Sequence, residues 1–443
     1  MIDNNHTVHI VVIGGSYGGI ACVNKLQHNL PKDLDVAITL VERVDARYHC
    51  VASYRALVQK DFAKNLWIPY TNVFPKDSPH KVVRGTVKSI FYDHVLLAAD
   101  KPSEPTPTNG DATCDSLRIN FDYLVIATGS MIPSPAKWRV NSSVEGLAFM
   151  DKTREYIQDS DRIVVVGGGA CGVELCGEIK YAFPSKAVTL IHRSASLVDY
   201  PRYPQSFKDE ARRYLEKYGV EVILNESAEI EGLSRENSVQ KAERTIRLKE
   251  SNRTIQSDLQ FFSTGMSVDT GFLSTLRPPL SNGGVGEEAK DAFNPDKLLH
   301  PHTRAILVRS TLQLEHDGFP HIFAIGDVSN ADPVPTCMSA VAAGETAARN
   351  IIKLIKKEAK RIDGSHDKIE LCEEMDGYLC RSWNKLEDYA PIQPLMVLAM
   401  NPTGGVCNLP VLGTWFGNLG AWLVKSNDLF SGRFWKEMNM PRP

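Results

Sequence analysis

Runs of β-branched residues followed by glycines and a helical pattern mark the start of the chain. The first run, His9 to Ile13, leads into the glycine-rich segment Gly14 to Gly19 and then into an amphipathic pattern through Leu26. Val36 to Val41 is a continuous Val/Ile/Leu-type run, as expected for a parallel strand that is covered on both faces. This order predicts a strand, a tight turn, a helix and a second strand.

The same order returns in the middle of the chain. Arg162 to Val166 is followed by the glycine-rich segment Gly167 to Gly172, a helical pattern through Ile179 and a strand from Ala187 to Ile191. The sequence therefore encodes two nucleotide-binding βαβ units. The predicted fold class is α/β, with two Rossmann-like dinucleotide-binding domains and a smaller C-terminal α+β domain.

Weaker signals complete the predicted organisation. Strand-and-turn patterns occur at Leu259 to Gly265 and at His321 to Asp327, and a helix is predicted from about Met338 to Lys357. The polar segment Asp100 to Ser116 is predicted to be an exposed loop. Strands are predicted around Pro394 to Met400.

These patterns predict where the domains begin and end. The first dinucleotide-binding domain is predicted in two segments, residues 1–140 and 269–362, and the second spans residues 141–268. Residues 363–443, which include an apolar helix-like stretch near Trp415, are predicted to form the C-terminal domain.

The amino-acid composition restricts the binding partners and the cellular compartment that are expected for the protein. The 443 residues carry a net charge of −3, so there is no basic excess to bind nucleic acid by counterion release. The nine cysteines are scattered without a CxxC pair, which favours a reducing, cytoplasmic location. The N-terminus lacks a secretion signal and has Ile2 in place of a myristoylated glycine, and no apolar run is long enough to span a bilayer.

The first glycine-rich turn carries the residue types that a dinucleotide requires. Such a turn needs glycine at the sharp bend, near the pyrophosphate and where the helix packs on the strand. Glu42, after the next strand, is the carboxylate expected to accept hydrogen bonds from ribose hydroxyls. Ser16 replaces the middle glycine, and an ordinary glycine-rich βα turn is the alternative interpretation. The candidate cofactor-binding residues of this turn are Gly14, Gly15, Ser16, Gly18 and Gly19.

The second turn is complete, with its three glycines at Gly167, Gly169 and Gly172. An NAD-specific fold would offer a carboxylate after the next strand, where this chain has His192 and Arg193. An arginine at this place suits the 2′-phosphate of NADPH, although a solvated surface arginine is equally compatible with the pattern. The sequence therefore leaves the choice between NADH and NADPH open.

Two further motifs, Tyr123 to Gly129 and Phe323 to Asp327, resemble signatures of pyridine nucleotide-disulfide-type flavoproteins. The resemblance implies that the first fold holds FAD and the second NAD(P)H. It also implies that Asp327 hydrogen-bonds the ribityl chain of the flavin and that the Ala-Thr-Gly segment passes close to the cofactor. The candidate cofactor-binding residues in these two motifs are Thr128, Gly129, Gly326 and Asp327, and Gly265, at the end of the strand-and-turn pattern from Leu259, is a further candidate.

A narrower resemblance covers nearly the whole chain. The segments Tyr48 to Ala56, Lys425 to Phe430 and Trp435 to Met438 are similar to the apoptosis-inducing-factor-like, mitochondrion-associated flavoproteins, also called ferroptosis suppressor proteins. This likeness implies that Arg55 contacts the FAD phosphates and that Val87 lies beside the adenine. The family's N-terminal myristoylation glycine is missing here, so its usual lipid anchoring is not carried over.

The predicted chemistry is hydride transfer from NAD(P)H to flavin, followed by electron delivery to a quinone-type acceptor. Glu174 resembles the glutamate that approaches the nicotinamide and the flavin in this family, and is the candidate catalytic residue. A carboxylate favoured by the helix N-terminus is the alternative interpretation of Glu174. Cys171 and Cys176 are expected to pack in the protein interior rather than to relay electrons. The 12 histidines are not spaced as metal ligands are, so no metal site is predicted.

Two other functions remain compatible with these cofactor motifs, because a fold does not determine a function. One is a flavin oxidoreductase that tailors a specific small metabolite, and the other is a cell-death or signalling flavoprotein.

An apolar stripe near the C-terminus lies at helical spacing and is followed by Lys425. It suits the core or a homodimer surface, and tryptophans beside a lysine also suit peripheral contact with a mitochondrial or lipid-droplet membrane. The stripe consists of Leu412, Trp415, Phe416, Leu419, Trp422 and Leu423.

Overall fold

The structure is a computed structural model of the chain, and two compact units are present. The first unit comprises Met1–Asp45, Tyr70–Ser130 and Val268–Pro391, and the second comprises Ala46–Pro69, Met131–Ser267 and Ile392–Pro443. The residues that the structure describes are 7–98, 116–279, 293–362, 385–391, 395–409, 413–414, 417–422, 425 and 427–443.

The secondary structure alternates strands and helices along most of the described chain. The strands are β1 Val8–Ile13, β2 Val36–Glu42, β3 Ala46–Tyr48, β4 Trp67–Pro69, β5 Lys81–Arg84, β6 Val87–Ile90, β7 His94–Leu97, β8 Leu117–Asn120, β9 Tyr123–Ile126, β10 Arg162–Val166, β11 Ala187–Ile191, β12 Val220–Ile223, β13 Val239–Arg247, β14 Thr254–Phe262, β15 Ile322–Ala324, β16 Met396–Asn401 and β17 Gly404–Asn408. The α-helices are α1 Tyr17–Asn29, α2 Ser53–Val58, α3 Ser143–Gln158, α4 Ala170–Ala182, α5 Gln205–Lys217, α6 Cys337–Ile362, α7 Gly417–Ala421 and α8 Ser431–Glu437.

A five-stranded parallel sheet forms the centre of the first unit, in the order β15-β9-β1-β2-β5. Its strands are buried on both faces, which is why they consist of Val, Ile and Leu in continuous runs. Helices α1 and α6 pack against each other in this unit. A smaller antiparallel sheet, β6-β7-β8, contributes Ile90 and Leu97 to the same hydrophobic core as Val11 and Leu124.

The second unit contains another five-stranded sheet, in the order β12-β11-β10-β14-β13. Four of these strands are parallel, and β13 is antiparallel to β14 at one edge. The apolar residues of β10 and β11 that face the core again form nearly continuous runs. Helix α4 connects these two strands as the crossover of the βαβ unit.

The chain's C-terminal segment belongs to the second unit. Strands β16 and β17 form an antiparallel hairpin, and α8 packs through Phe434, which is fully buried. The indole N–H of Trp435 donates a 2.9 Å hydrogen bond to the carbonyl oxygen of Asn65. Of the predicted apolar stripe, Leu419 and Trp422 are described and are 56% and 41% exposed. Its other members, Leu412, Trp415, Phe416 and Leu423, lie outside the described residues.

The predicted α/β class with two dinucleotide folds is confirmed, and the observed strands of both βαβ units lie within one or two residues of the predicted positions. The predicted loop at 100–116 lies outside the described residues except for Ser116. The predicted domain boundaries at residues 140, 268 and 362 remain predictions. In the described part of the chain, no helix combines the length and the apolar character needed to cross a membrane.

Candidate functional site

The first glycine-rich turn leaves no room for side chains at two of its positions. Gly14 has φ +100°, and a Cβ there would lie 2.3 Å from the carbonyl oxygen of Ala127. A Cβ on Gly19 would lie 1.8 Å from the carbonyl oxygen of Gly14. These positions therefore require glycine for the turn itself and for the packing of α1 against β1, as the dinucleotide pattern predicts.

The N-terminus of α1 is arranged as an anion site would be. Ser16 is the N-cap residue, yet its side chain makes no capping hydrogen bond to the first turn. The N–H groups of a first helical turn lack partners within the helix, and such groups bind phosphates readily. The residues present at this turn thus fit the pyrophosphate of a dinucleotide, with Ser16 as the replacement for the middle glycine.

Glu42 lies where a ribose-binding carboxylate is expected, at the carboxyl end of β2. Its Oε2 accepts a 2.7 Å hydrogen bond from the N–H of Gly15, and its Oε1 accepts the N–H of Arg43 at 2.7 Å. Oε1 also accepts the N–H of Val44 at 3.3 Å, so of about four acceptor positions on the carboxylate one remains for a ribose hydroxyl. The N–H of Gly85 donates to the backbone oxygen of Glu42 at 2.9 Å, which brings the segment leading to Val87 to the same strand end.

The remaining candidates of the first unit lie at the carboxyl ends of two neighbouring strands, β9 and β15. Gly129 follows β9 with φ +70°, and no atom lies within 4 Å of a Cβ placed on it, so the space beside it is open. Asp327 follows β15, and its Oδ2 accepts a 2.6 Å hydrogen bond from the Ser130 hydroxyl. The sequence did not identify Ser130. Thr128 and Gly326 adjoin these residues, so most of the predicted FAD residues share one sheet edge.

The second turn repeats the steric constraints of the first. Gly167 has φ +120°, and its Cβ would lie 2.4 Å from the carbonyl oxygen of Ser263. A Cβ on Gly172 would lie 1.9 Å from the carbonyl oxygen of Gly167. At Gly169 the nearest atom to an added Cβ is the Tyr200 hydroxyl, at 3.7 Å, so protein packing does not require glycine there. Close approach of a bound dinucleotide to Gly169 stays a prediction.

His192 stands in the second unit where Glu42 stands in the first. Its Nδ1 accepts a 3.1 Å hydrogen bond from the N–H of Gly168, just as Glu42 accepts from Gly15. Burial lowers the pKa of His192, which favours the neutral ring that this acceptor role requires. Arg193 is exposed beside it.

Glu174 is a buried carboxylate in the first turns of α4. Its Oε1 accepts a 2.9 Å hydrogen bond from the N–H of Ala399 and a 2.6 Å hydrogen bond from Nζ of Lys425. Both side chains of this ion pair are 11% exposed, so each charge needs the other. Lys425 also donates to the carbonyl oxygen of Val397 at 3.0 Å. The pair joins residues 251 positions apart, and no local signal in the sequence connects them.

Arg55, predicted to contact FAD phosphates, forms a buried ion pair in the second unit. Its Nε donates to both carboxylate oxygens of Glu178, at 2.7 and 2.9 Å, and both side chains are 1% exposed. Glu178 lies one helical turn beyond Glu174 on α4. Burial raises the pKa of Glu178 to about 7, although the Arg55 guanidinium acts in the opposite direction. Contact of Arg55 with FAD stays a prediction.

The raised pKa of Glu178 predicts a pH-dependent stability. Between its usual pKa of 4.5 and about 7, the folded chain keeps a proton that the unfolded chain releases, so stability falls as pH rises through this window. The expected contribution is on the order of 3 kcal/mol. We expect the midpoint of urea unfolding to fall less steeply between pH 5 and 7.5 in Glu178→Gln than in the wild type. Parallel profiles of the two proteins would contradict this prediction.

The two cysteines near the second turn are poor redox groups. Burial raises the pKa of Cys171 to about 11 and raises that of Cys176 further, so neither forms a thiolate readily. Both are free thiols. Their positions support packing rather than electron relay. Among the described residues, no group of three or more His, Cys, Asp or Glu side chains is placed to hold a metal ion.

Comparison with protein families identifies the chain's class. Residues 8–347 match the family model of pyridine nucleotide-disulphide oxidoreductases, which is more than three quarters of the chain. The chain belongs to this family. As a pyridine nucleotide-disulphide oxidoreductase, it is an NAD(P)H-dependent flavoprotein with FAD and NAD(P)H as its cofactors.

Curated relatives extend the likeness over nearly the whole chain. Human ferroptosis suppressor protein 1 is 28% identical over 440 residues, covering 98% of this chain and 97% of the relative. Apoptosis-inducing factor homolog B of Dictyostelium discoideum is 26% identical over 449 residues, with coverage of 98% and 97%. The resemblance inferred from the sequence motifs is therefore confirmed.

Solved structures share the fold at lower identity. NDH2 of Plasmodium falciparum, in complex with NADH, is 13% identical with a TM-score of 0.60, and 99% of each chain is covered. The sulfide:quinone oxidoreductase of Aquifex aeolicus is 18% identical with a TM-score of 0.56, covering 79% of this chain and 78% of that one. At these identities the likeness shows the fold alone.

Proposed function

We propose that the chain is an FAD-dependent NAD(P)H:quinone oxidoreductase. The observation that carries the proposal is the buried ion pair of Glu174 and Lys425, which stands close behind the second dinucleotide turn. The protonated thiols of Cys171 and Cys176 support an acceptor reduced without a disulfide relay. The resemblance to the ferroptosis suppressor proteins, which extends over nearly the whole chain, also supports the proposal.

The balanced reaction explains why a cationic group would be useful. NAD(P)H, one proton and a quinone give NAD(P)⁺ and a quinol, so one proton must come from solution for each turnover. When FAD is bound, its isoalloxazine accepts the hydride from NAD(P)H and passes two electrons to the acceptor. We infer that Lys425 delivers the proton and stabilises negative charge that develops on the quinone oxygen.

The roles of the other residues follow from their positions. Glu174 holds the Lys425 ammonium group through Oε1 at 2.6 Å and fixes the β16 backbone through the Ala399 N–H. The N-termini of α1 and α4 would bind the two pyrophosphates, and Glu42 would bind the ribose of FAD. His192 and Arg193 would meet the adenosine half of NAD(P)H.

The proposal is tested with the purified protein. Its visible spectrum should show bound flavin, and the protein should oxidise NADH or NADPH in proportion to added short-chain ubiquinone analogue. Oxygen alone should support a much slower reaction. A protein that contains flavin but reduces none of a series of quinones would overturn the proposed acceptor, whereas a colourless protein would contradict the cofactor assignment.

Arg193 carries a prediction about nicotinamide specificity. If its exposed guanidinium binds the 2′-phosphate of NADPH, Arg193→Gln should raise KM for NADPH about 10-fold and leave KM for NADH unchanged. Arg212→Gln, at an exposed arginine on α5 of the same unit, is the matched control. An equal change in KM for NADPH and for NADH in Arg193→Gln would show that this side chain does not bind the 2′-phosphate.

Leu419 and Trp422 carry a prediction about membrane contact. Both are exposed apolar side chains near Lys425, and a long-chain quinone is held in a lipid phase. We propose that they contact the membrane surface, so the double substitution Leu419→Ser/Trp422→Ser should reduce cosedimentation with anionic vesicles and turnover of vesicle-embedded quinone. Turnover of a water-soluble quinone should not change. A loss of dimer mass with unaltered vesicle binding would instead assign these side chains to a homodimer.

A further inference from the structure

A cavity of about 380 Å³ lies within the second unit, formed by the segment after β9, helix α3 and the loop before β13. Its volume is within the range of small-molecule pockets. No motif of the nucleotide turns contributes to its lining. The proposed oxidoreductase reaction gives this cavity no role.

The cavity is strongly basic. Four cationic side chains line it, against a single anionic one, Glu236; the cations are Lys137, Arg139, Lys152 and Arg235. Glu236 accepts a hydrogen bond from the Ser234 hydroxyl at 3.1 Å. Glu236 also interacts electrostatically with Arg139 and Arg235. One carboxylate balances only one of the four cations, and the remaining excess of positive charge favours an anionic ligand.

Aromatic rings form the other part of the lining. The rings of Trp138 and Phe149 are parallel to within 7°, with their centroids 6.0 Å apart. Trp138 is held in place because its indole N–H donates a 3.1 Å hydrogen bond to the Tyr48 hydroxyl. Phe149 is 43% exposed, which is unusual for a phenylalanine, and Lys152 lies 5.6 Å from the centroid of the Tyr156 ring.

We propose that this cavity binds a planar aromatic anion, meaning an aromatic ring that carries a phosphate or carboxylate group. The ring would cover the exposed face of Phe149, alongside the fixed Trp138, and the anionic group would meet Arg139 and Lys152. Neither a neutral aromatic compound nor an inorganic anion would satisfy both parts of the lining. The proposal is independent of the proposed quinone reduction, because it involves none of the residues assigned to that reaction.

The test uses 1-naphthyl phosphate as the probe and the full chain loaded with FAD and saturated with NAD⁺, so that the dinucleotide sites are occupied. Isothermal titration calorimetry should give saturable one-to-one binding. 1-Naphthol and inorganic phosphate should each bind at least about 10-fold more weakly, because each satisfies only one part of the lining. Equal affinity for 1-naphthol and 1-naphthyl phosphate, or no binding of the probe, would overturn the proposal.

Substitutions of cavity residues test whether 1-naphthyl phosphate binds in this cavity. Phe149→Ala should weaken the binding of 1-naphthyl phosphate about 5-fold, and the double substitution Arg139→Gln/Lys152→Gln should weaken this binding about 10-fold. All three substituted side chains are exposed, so thermal unfolding should be unchanged. Arg212→Gln, which removes an exposed charge on α5, should leave the affinity as it is. Wild-type affinity in both cavity variants would place the probe elsewhere and overturn the assignment.

Discussion

Replacement of Glu174 by glutamine is expected to lower kcat for quinone reduction about 100-fold, while the flavin content is retained. The physical reason is the loss of the carboxylate that holds Lys425 at 2.6 Å. Without it, the ammonium group is no longer positioned to deliver a proton. Stopped-flow reduction of the flavin by NAD(P)H and steady-state quinone turnover would be measured separately. We expect the steady-state rate at saturating quinone to fall most.

Stability and activity must be separated in this experiment, because removal of one partner of a buried ion pair costs about 3–5 kcal/mol. The double variant Glu174→Gln/Lys425→Met removes both charges and should recover most of the lost unfolding free energy. Its quinone activity should remain low. Recovery of activity together with stability would mean that the pair only maintains the fold. Glu216→Gln, at an exposed glutamate on α5, is the matched control for a lost carboxylate.

Gly167→Ala is expected to destabilise the second unit by about 3 kcal/mol or more. The residue has φ +120°, which a side chain strains, and the added Cβ would lie 2.4 Å from the Ser263 carbonyl oxygen. The midpoint of thermal unfolding and the binding of NAD(P)H should both fall. The corresponding substitution Gly14→Ala in the first unit should cause loss of FAD for the same reason, since its Cβ would meet the Ala127 carbonyl oxygen.

Gly169→Ala provides a matched comparison two residues away. Here the added Cβ meets nothing closer than 3.7 Å and φ is −73°, so the thermal midpoint should not change. If the pyrophosphate approaches this backbone, KM for NAD(P)H should nevertheless rise about 10-fold. Unchanged KM in Gly169→Ala would show that the dinucleotide does not pass this position.

The sequence predicted the parts of the fold that depend on local pattern. Continuous apolar runs and the two glycine turns gave β1, β2, β10 and β11, because these features follow from burial and backbone geometry close in sequence. The antiparallel edge strand β13 and the β6-β7-β8 sheet were not predicted. Each of these strands pairs with a neighbour in the sequence, but they are short or strongly charged and lack the continuous apolar runs that mark the parallel strands.

The residues of the candidate site likewise divide into those that the sequence predicted and those that it did not. The glycines and Glu42 were identifiable because a dinucleotide turn fixes residue types at short spacing. Ser130 and Glu178 were not identified, and Lys425 was named only in a family-like segment and after the apolar stripe, since each becomes relevant to the site only through a side chain that folding brings to it. The clearest example is the Glu174 pair, whose two members are separated by 251 residues.

A chain that carries the same turn twice must keep two chemically similar dinucleotides apart. In both units the glycine that directly follows the first glycine of the turn, Gly15 or Gly168, donates its N–H to one side chain. The acceptor is the carboxylate of Glu42 in the first unit and the imidazole of His192 in the second. The peptide scaffold is thus duplicated, and besides the Ser16 position the copies differ in the residue at the carboxyl end of the second strand. A negative group repels a 2′-phosphate, whereas a neutral ring beside an arginine tolerates it. Sorting of the two ligands would then rest on a single exchange of acceptor type rather than on two different folds.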